Sequence, residues 1–213
     1  MLHSKDPKRK VAMKTYAVSD LHLFHKNIIK YSALPFASVE ELNGTWAKML
    51  DCVRQEDAVW FLGDLSLART PTKELNSILA SFKGQKFLIR GNHDLLPDKA
   101  YINCGFQVLD KLFHIYKLFH ILDIEQNGLY RFILCHYPPD SKEYNQLVAE
   151  NILEEWTQKE AKTPALKTFW LHGHTHTSTP EPFNPDAINV CIDFRYHAKW
   201  PIFCFEDFLV RMP

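Results

Sequence analysis

The 213-residue chain is 46% hydrophobic and 23% charged, with a formal net charge of zero. That is enough apolar material for the core of one large domain, and the charge balance indicates neither a strongly basic nucleic-acid binder nor an acidic tail. No apolar stretch approaches the length of a membrane span and the N-terminus carries no apolar signal segment, so a cytoplasmic location is expected. The five cysteines, Cys52, Cys104, Cys135, Cys191 and Cys204, are far apart and show no CxxC spacing. They read as small buried hydrophobes in a reducing compartment rather than as a disulfide framework or a thiolate zinc site.

Residues 1–13 hold Lys5, Lys8, Arg9 and Lys10 with little apolar content and read as a basic, solvated tail; residues 14–213 read as a single domain. Thr15 to Ser19 form an expected strand that ends in Asp20-Leu21-His22. Asp and His two apart at a strand end can point to the same side and reach one ion. A short helix is expected from about Asn27 to before Pro35. Ser38-Val39-Glu40-Glu41 is a capping box, and Val39, Leu42, Trp46, Met49, Leu50 and Val53 mark the buried face of the helix it opens. Ala58 to Leu62 is a second buried strand, ending in Gly63-Asp64. Thr70-Pro71 is expected to start the next helix, with proline at its first position and Leu75, Ile78, Leu79 and Phe82 as its apolar stripe. Phe87 to Ile89 is a third strand, ending in Gly91-Asn92-His93-Asp94. The alternation of strand and helix argues for parallel pairing and an α/β class.

Pro97 to Cys104 reads as a short helix and Gln107 to Leu109 as a strand. Asn127-Gly128 signals a hairpin within Leu118 to Cys135, whose second strand ends in His136. Asp140 with Glu143 is another capping box, ahead of a helix running to about Lys159. Thr168 to Leu171 is an apolar strand ending in His172-Gly173-His174-Thr175-His176, and a loop follows at Pro180, Pro182 and Pro185. Ile188 to Ile192 and Ile202 to Phe205 are expected closing strands.

Five apolar strands therefore end in Asp-x-His, Gly-Asp, Gly-Asn-His-Asp, His, and Gly-His-x-His. In open α/β sheets ligands bind beyond the carboxyl ends of the strands. Asp20, His22, Asp64, Asn92, His136, His174 and His176 are seven candidate oxygen or nitrogen ligands there. Carboxylate, imidazole and amide without thiolate suit a first-row divalent metal such as Mn, Fe, Ni or Zn. Seven ligands exceed the needs of one small ion and suit two ions about 3.5–4 Å apart sharing a carboxylate. Any one element alone is ordinary, since a lone Gly-Asp is usually a turn.

The pattern Asp20-x-His22, Gly63-Asp64, Gly91-Asn92-His93-Asp94, His136 and Gly173-His174-x-His176 resembles the calcineurin-like metallophosphoesterases over residues 15–176. The stretch Ser19 to Ile29 resembles more particularly a group of small bacterial and phage-encoded phosphoesterases. The resemblance implies a four-layer αββα sandwich and two divalent metal ions. It implies that Asp20, His22 and His176 hold one ion, that Asn92, His136 and His174 hold the other, and that Asp64 bridges them. It further implies that His93 acts beside the phosphate and that Asp94 orients it. After Gly63-Asp64 the chain reads Leu-Ser-Leu-Ala, without the Asp-Arg-Gly of the protein Ser/Thr phosphatases.

The implied activity is hydrolysis of a phosphodiester or phosphomonoester, diesters favoured, by a metal-bound hydroxide with His93 assisting the leaving group. The substrate is a phosphate ester, with nucleotides among the candidates. His25, Asn27, Arg195 and His197 are candidate substrate contacts, Arg195 as a bidentate phosphate clamp, against the ordinary reading of polar residues at a surface. Two other classes remain open: a nuclease acting on DNA or RNA, and a metal-binding non-catalytic scaffold. Retention of every motif residue disfavours the scaffold, and the neutral charge gives the nuclease little support.

Overall fold

The computed structural model describes residues 12–109, 119–139, 141–142, 145, 164–176 and 186–212. Two sheets face one another. In the first, β1 (Thr15–Val18), β2 (Ala58–Phe61), β3 (Gln85–Leu88) and β4 (Phe106–Val108) are parallel, and β9 (Phe203–Cys204) pairs antiparallel to β1, in the order β4-β3-β2-β1-β9. In the second, β5 (Phe119–Glu125) and β6 (Leu129–Cys135) form an antiparallel hairpin, and β7 (Lys167–His172) and β8 (Ala187–Asn189) continue in parallel.

The layering follows from the two-residue period of a strand. Tyr16, Val18, Val59 and Phe61 point to one side of the first sheet and pack with Leu42, Trp46, Leu75, Leu79 and Tyr101 from the helices. Ala17, Trp60 and Leu62 point the other way and meet Phe132, Leu134, Phe169 and Leu171 of the second sheet. Ile133, Cys135 and Trp170 lie on that sheet's outer face with Tyr137. The sheets are flanked by helices, as the metallophosphoesterase pattern implies. The expected helix from Asp140 to about Lys159 falls almost wholly outside the described residues. So do residues 1–11, His114, Leu118 and the loop at Pro180, Pro182 and Pro185.

The described helices are α1 (Ile28–Tyr31), α2 (Val39–Met49), α3 (Lys73–Ser81), α4 (Asp98–Asn103), α5 (Ile192–His197) and α6 (Phe205–Val210). None is long and apolar enough to cross a membrane. Helix α2 starts at its capping box: Ser38 Oγ accepts the Glu41 N–H at 3.2 Å, and the Glu41 carboxylate reaches back to the Ala37 N–H at 2.9 Å. The hairpin turns through Asn127 (φ 53°) and Gly128 (φ 138°), both left-handed.

Of the boundaries that differ from the sequence reading, three bear on how the chain enters or leaves a helix. Helix α3 begins at Lys73, two residues after Pro71, because the Thr72 hydroxyl accepts the Leu75 N–H at 3.1 Å and a hydroxyl caps where proline cannot. Strand β8 ends at Asn189 rather than continuing to Ile192. The Asn189 side chain accepts the Cys191 N–H at 2.8 Å, and helix α5 then starts as the Arg195 N–H bonds to Cys191 O. Phe205 likewise opens α6 instead of ending a strand.

Two buried charges secure the edge of the first sheet away from the site. The Lys86 ammonium donates to Leu79 O at 3.0 Å and Cys104 O at 2.6 Å, closing the ends of α3 and α4. Asp57 accepts the N–H groups of Lys14 (2.9 Å) and Arg54 (2.8 Å) and the Arg54 guanidinium, at 2.6 Å to Nη2, tying the entry of β1 to that of β2. The guanidinium holds the Asp57 carboxyl down at about 2, against the opposing effect of burial. A carboxyl whose folded pKa lies below its ordinary 3.8 stabilises the fold above that value and loses the contribution as pH falls through about 2. Asp57→Asn is expected to cost about 2 kcal/mol at neutral pH, with the gap to wild type narrowing to about half at pH 3. Urea unfolding at the two pH values checks this; an undiminished gap at pH 3 excludes the ionised carboxylate as its source.

Candidate metal centre

The hydrogen-bond ladders outrun the strands and draw their terminal loops together. Asp20 N–H bonds to Gly63 O, His22 N–H to Asp64 O and Leu23 N–H to Leu65 O, at 2.9–3.0 Å. In the second sheet Gly173 N–H bonds to His136 O at 2.9 Å. Ser19 joins the two sheets, donating to Val190 O at 3.1 Å and accepting from Ile192 N–H at 3.0 Å. The carboxyl edges of both sheets therefore meet at one place.

Backbone strain is concentrated there. Asp20 (φ 60°), His22 (43°), Asp64 (55°), His174 (72°) and His176 (33°) are all left-handed without being glycine. Such conformations cost of order 1 kcal/mol or more each and persist where the surroundings enforce them. Two glycines permit the close approach. A Cβ on Gly91 would strike the Asp64 carboxylate, and one on Gly173 would strike Ser19 Oγ and the Asp20 carboxylate.

All seven candidate ligands lie in this cluster. His22 Nε2 is 2.9 Å from His176 Nε2 and 3.7 Å from Asp20 Oδ1, which is itself 3.4 Å from His176 Nε2. His136 Nε2 is 3.0 Å from Asn92 Oδ1 and 3.2 Å from His174 Nδ1. Asp64 Oδ2 stands between the two groups, 3.7 Å from His22 Nε2 and 3.5 Å from His136 Nε2. Asp20, His22, Asp64 and His136 are buried. Among the described residues, Asp20–His22–His176 and Asp20–Asp64–His136 each bring three donor atoms within 4.8 Å of one another.

The protonation pattern explains why a cation belongs here. Leu62 O can only accept, so His136 Nδ1 at 2.9 Å carries a proton and Nε2 is the nitrogen turned to the cluster. Asp193 Oδ2, 2.7 Å from His176 Nδ1, fixes that ring in the same sense. Both Nε2 atoms face further acceptors: the Asn92 and Asp64 oxygens for His136, Asp20 Oδ1 for His176. Asp20 Oδ1 and His22 Nδ1 are buried without a hydrogen-bond partner, whereas Asp20 Oδ2 accepts from Ser19 Oγ, His174 N–H and Cys191 Sγ. A buried carboxylate oxygen left bare among imidazole nitrogens suits metal ligation. Burial disfavours charge on both Asp20 and His176, yet the neighbouring imidazoles hold the Asp20 carboxyl low, and Asp193, Asp20 and Asp64 raise His176 to about 9. In the metal-free chain the same charges favour a proton on His176, which a bound metal would displace.

The remaining expected site residues divide. His93 is half-buried at the mouth, its ring 5.6 Å from that of His22 and its N–H held by Asp64 Oδ1 at 2.8 Å. His25 lies next to His22, with ring centroids 5.8 Å apart. Asn27 is exposed at the start of α1. Arg195 is turned to structural work, its Nε donating to Pro201 O at 2.9 Å and its guanidinium 5.1 Å from the Trp200 ring, which gives a phosphate clamp no support. His197 Nε2 bonds to Ser32 O at 2.8 Å.

Asp94 takes partners other than the His93 ring. One oxygen accepts the N–H groups of Asp64 (2.7 Å) and Gly91 (2.9 Å), and the other accepts Leu65 N–H (2.9 Å) and the Tyr101 hydroxyl (3.0 Å). Its connection to His93 runs through Asp64, whose N–H it accepts and whose Oδ1 accepts the His93 N–H. Sequence reasoning overlooked Ser19, Asp193 and Tyr101. The available signal for Asp193 was a carboxylate inside the apolar run Val190 to Phe194, where burial requires a partner.

Comparison with known proteins follows the same residues. The family model for calcineurin-like phosphoesterases matches residues 13–178. An uncharacterized protein of Methanocaldococcus jannaschii, MJ1445, is 34% identical over 186 residues, covering 84% of this chain and 82% of that protein. The gene 66 protein of Mycobacterium phage D29 is 30% identical over 152 residues, covering 66% of this chain and 69% of that protein. The crystal structure of AQ665 from Aquifex aeolicus, a protein of unknown function, shares the fold with a TM-score of 0.65 at 22% identity, covering 94% of this chain and 100% of that one. The family match spans every loop of the cluster, so the chain belongs to the calcineurin-like phosphoesterase family and is a metal-dependent phosphoesterase.

Proposed function

We propose that this chain hydrolyses phosphate esters, diesters in preference to monoesters, at a centre of two divalent ions. Asp20, His22 and His176 would hold one ion and Asn92, His136 and His174 the other, with Asp64 shared. The observation that carries this reading is the position of Asp64 Oδ2, within 3.7 Å of a histidine nitrogen from each half of the cluster. When bound, divalent ions neutralise phosphate charge and bring the pKa of water towards about 7, so that a nucleophile is available at neutral pH.

The protein residues supply charge balance, positioning and a proton. Only two carboxylates enter the ligand set, so the loaded centre keeps a net positive charge for a phosphate ester. Asn92 contributes a neutral oxygen and preserves that charge. His93, half-buried beside His22, is the free imidazole at the mouth and would donate a proton to the leaving oxygen. Its placement rests on the bond from its N–H to Asp64 Oδ1, and Asp64 is in turn set by Asp94.

A nucleotide is the substrate class that the rim favours. The rings of His93, His22, His25 and Tyr31 form a continuous row with centroids 5.6, 5.8 and 6.1 Å apart, leading outward from the cluster. Tyr31, at the outer end, is 71% exposed. At its outer end the exposed Tyr31 ring offers a face on which a nucleobase would stack, with its phosphate at the cluster.

His93→Ala is expected to lower kcat about 100-fold or more while two metal ions remain bound per chain. Elemental analysis beside the kinetics checks it, and loss of metal would overturn the proton-donor role. Tyr31→Ala is expected to raise KM for nucleotide esters about 10-fold and leave KM for a methyl ester unchanged. Equal effects on both substrates would remove the stacking surface from the reading. Chelation followed by back-titration with Mn, Fe, Ni or Zn is expected to abolish and restore hydrolysis; activity that survives complete metal removal would end the metal-dependent assignment.

A further inference from the structure

The family match ends at residue 178, yet three residues beyond it reach back into the cluster. Asn189, Cys191 and Asp193 follow one another at alternate positions as the chain leaves β8 and enters α5. Asn189 Nδ2 donates to Thr175 Oγ1 at 2.9 Å, between the two histidines of that loop, while its Oδ1 accepts the Cys191 N–H. Cys191 Sγ lies 3.1 Å from Asp20 Oδ2, and a thiol facing a carboxylate donates. Asp193 is buried and its Oδ2 accepts from His176 Nδ1 at 2.7 Å.

We propose that Asn189-x-Cys191-x-Asp193 is a brace outside the ligand set, and that Asp193 is the positioning residue that sets the metal affinity of the Asp20–His22–His176 half. The inference rests on the dinuclear reading above. Asp193 holds the Nδ1 proton of His176, so that Nε2, turned towards Asp20 Oδ1, is the nitrogen that would take the metal. Its negative charge also makes His176 a stronger donor. Asp193 Oδ1 accepts the Phe194 N–H at 2.8 Å, which locks the carboxylate in place.

His136 is held from behind by a neutral carbonyl, Leu62 O, and His22 Nδ1 has no partner among the described residues. Asp193 places a charge behind a histidine of the first half. A role limited to capping α5 would need only Oδ1, and would leave Oδ2 without reason to be buried against His176.

The test is titration of the metal-free chain with Mn2+ alone, by calorimetry and by paramagnetic resonance, for wild type, Asp193→Asn and Asp193→Ala. Wild type is expected to bind two ions and to show an exchange-coupled pair. Asp193→Ala is expected to weaken one binding step about 10- to 100-fold, leave the other within about threefold, and yield an uncoupled signal at stoichiometric metal. Asp193→Asn, which keeps the shape and an acceptor but not the charge, is expected to fall between the two. Wild-type affinity at both steps in Asp193→Ala overturns the proposal. Equal weakening of both steps, or a loss of metal-free thermal stability that accounts for the change, also overturns it and assigns Asp193 a purely structural role. A wild-type chain that binds one ion overturns the dinuclear reading, and the brace is then decided by that ion's affinity in Asp193→Ala. A wild-type chain that binds none overturns both.

Discussion

The cluster depends on how closely the strand-end loops approach one another. Asp64 packs against the backbone of Gly91, and Asp20 against that of Gly173, with no room for a side chain between. The parallel ladder of the first sheet continues into these loops through Asp20, His22 and Leu23, so the loops are held as firmly as strands. Five of the donor residues accept left-handed backbone as a consequence. Hydrophobic packing between and behind the sheets supplies the stability that tolerates this strain.

A second consequence is the division of work among buried carboxylates. Asp20 and Asp64 turn one oxygen towards the histidines and use the other on donors of the protein. Asp94 turns neither oxygen towards them and spends both on three backbone N–H groups and the Tyr101 hydroxyl. Its burial raises its pKa while those donors oppose the rise, which is the balance of a structural carboxylate tied into a turn. Asp193 works in a third way, on the far side of a histidine ring. Four carboxylates in one small volume are thus distinguished by what satisfies each oxygen.

Much of the fold was legible because it depends on short-range patterns. The runs around Tyr16, Val59 and Phe132 read as strands from their apolar content, and Ser38 with Glu41 marked a helix start that the hydrogen bonds reproduce. The misplaced boundaries lie where a polar side chain competes with the backbone pattern: Thr72 takes the cap from Pro71, and Asn189 diverts the chain out of β8. Arg195 illustrates the same limit at the site. Its charge suggested phosphate, but stacking on Trp200 and a bond to Pro201 O direct it elsewhere.

By itself the sequence determined the class of chemistry. Aspartate, asparagine and histidine at the ends of successive strands, each beside a glycine or a turn, restrict the reaction centre to a metal site at a carboxyl edge, because strand ends in such sheets converge. Only the tertiary structure decided which oxygen of each carboxylate faces the cluster, that Asp94 serves the backbone of the Asp64 loop, and that residues 189–193 support the ligands from behind. Those outcomes depend on contacts between segments 14 to 171 residues apart, from Asn189 with Thr175 to Asp20 with Cys191. No local periodicity carries that information, since hydrogen bonds of this kind are set by how the two sheets are placed against each other.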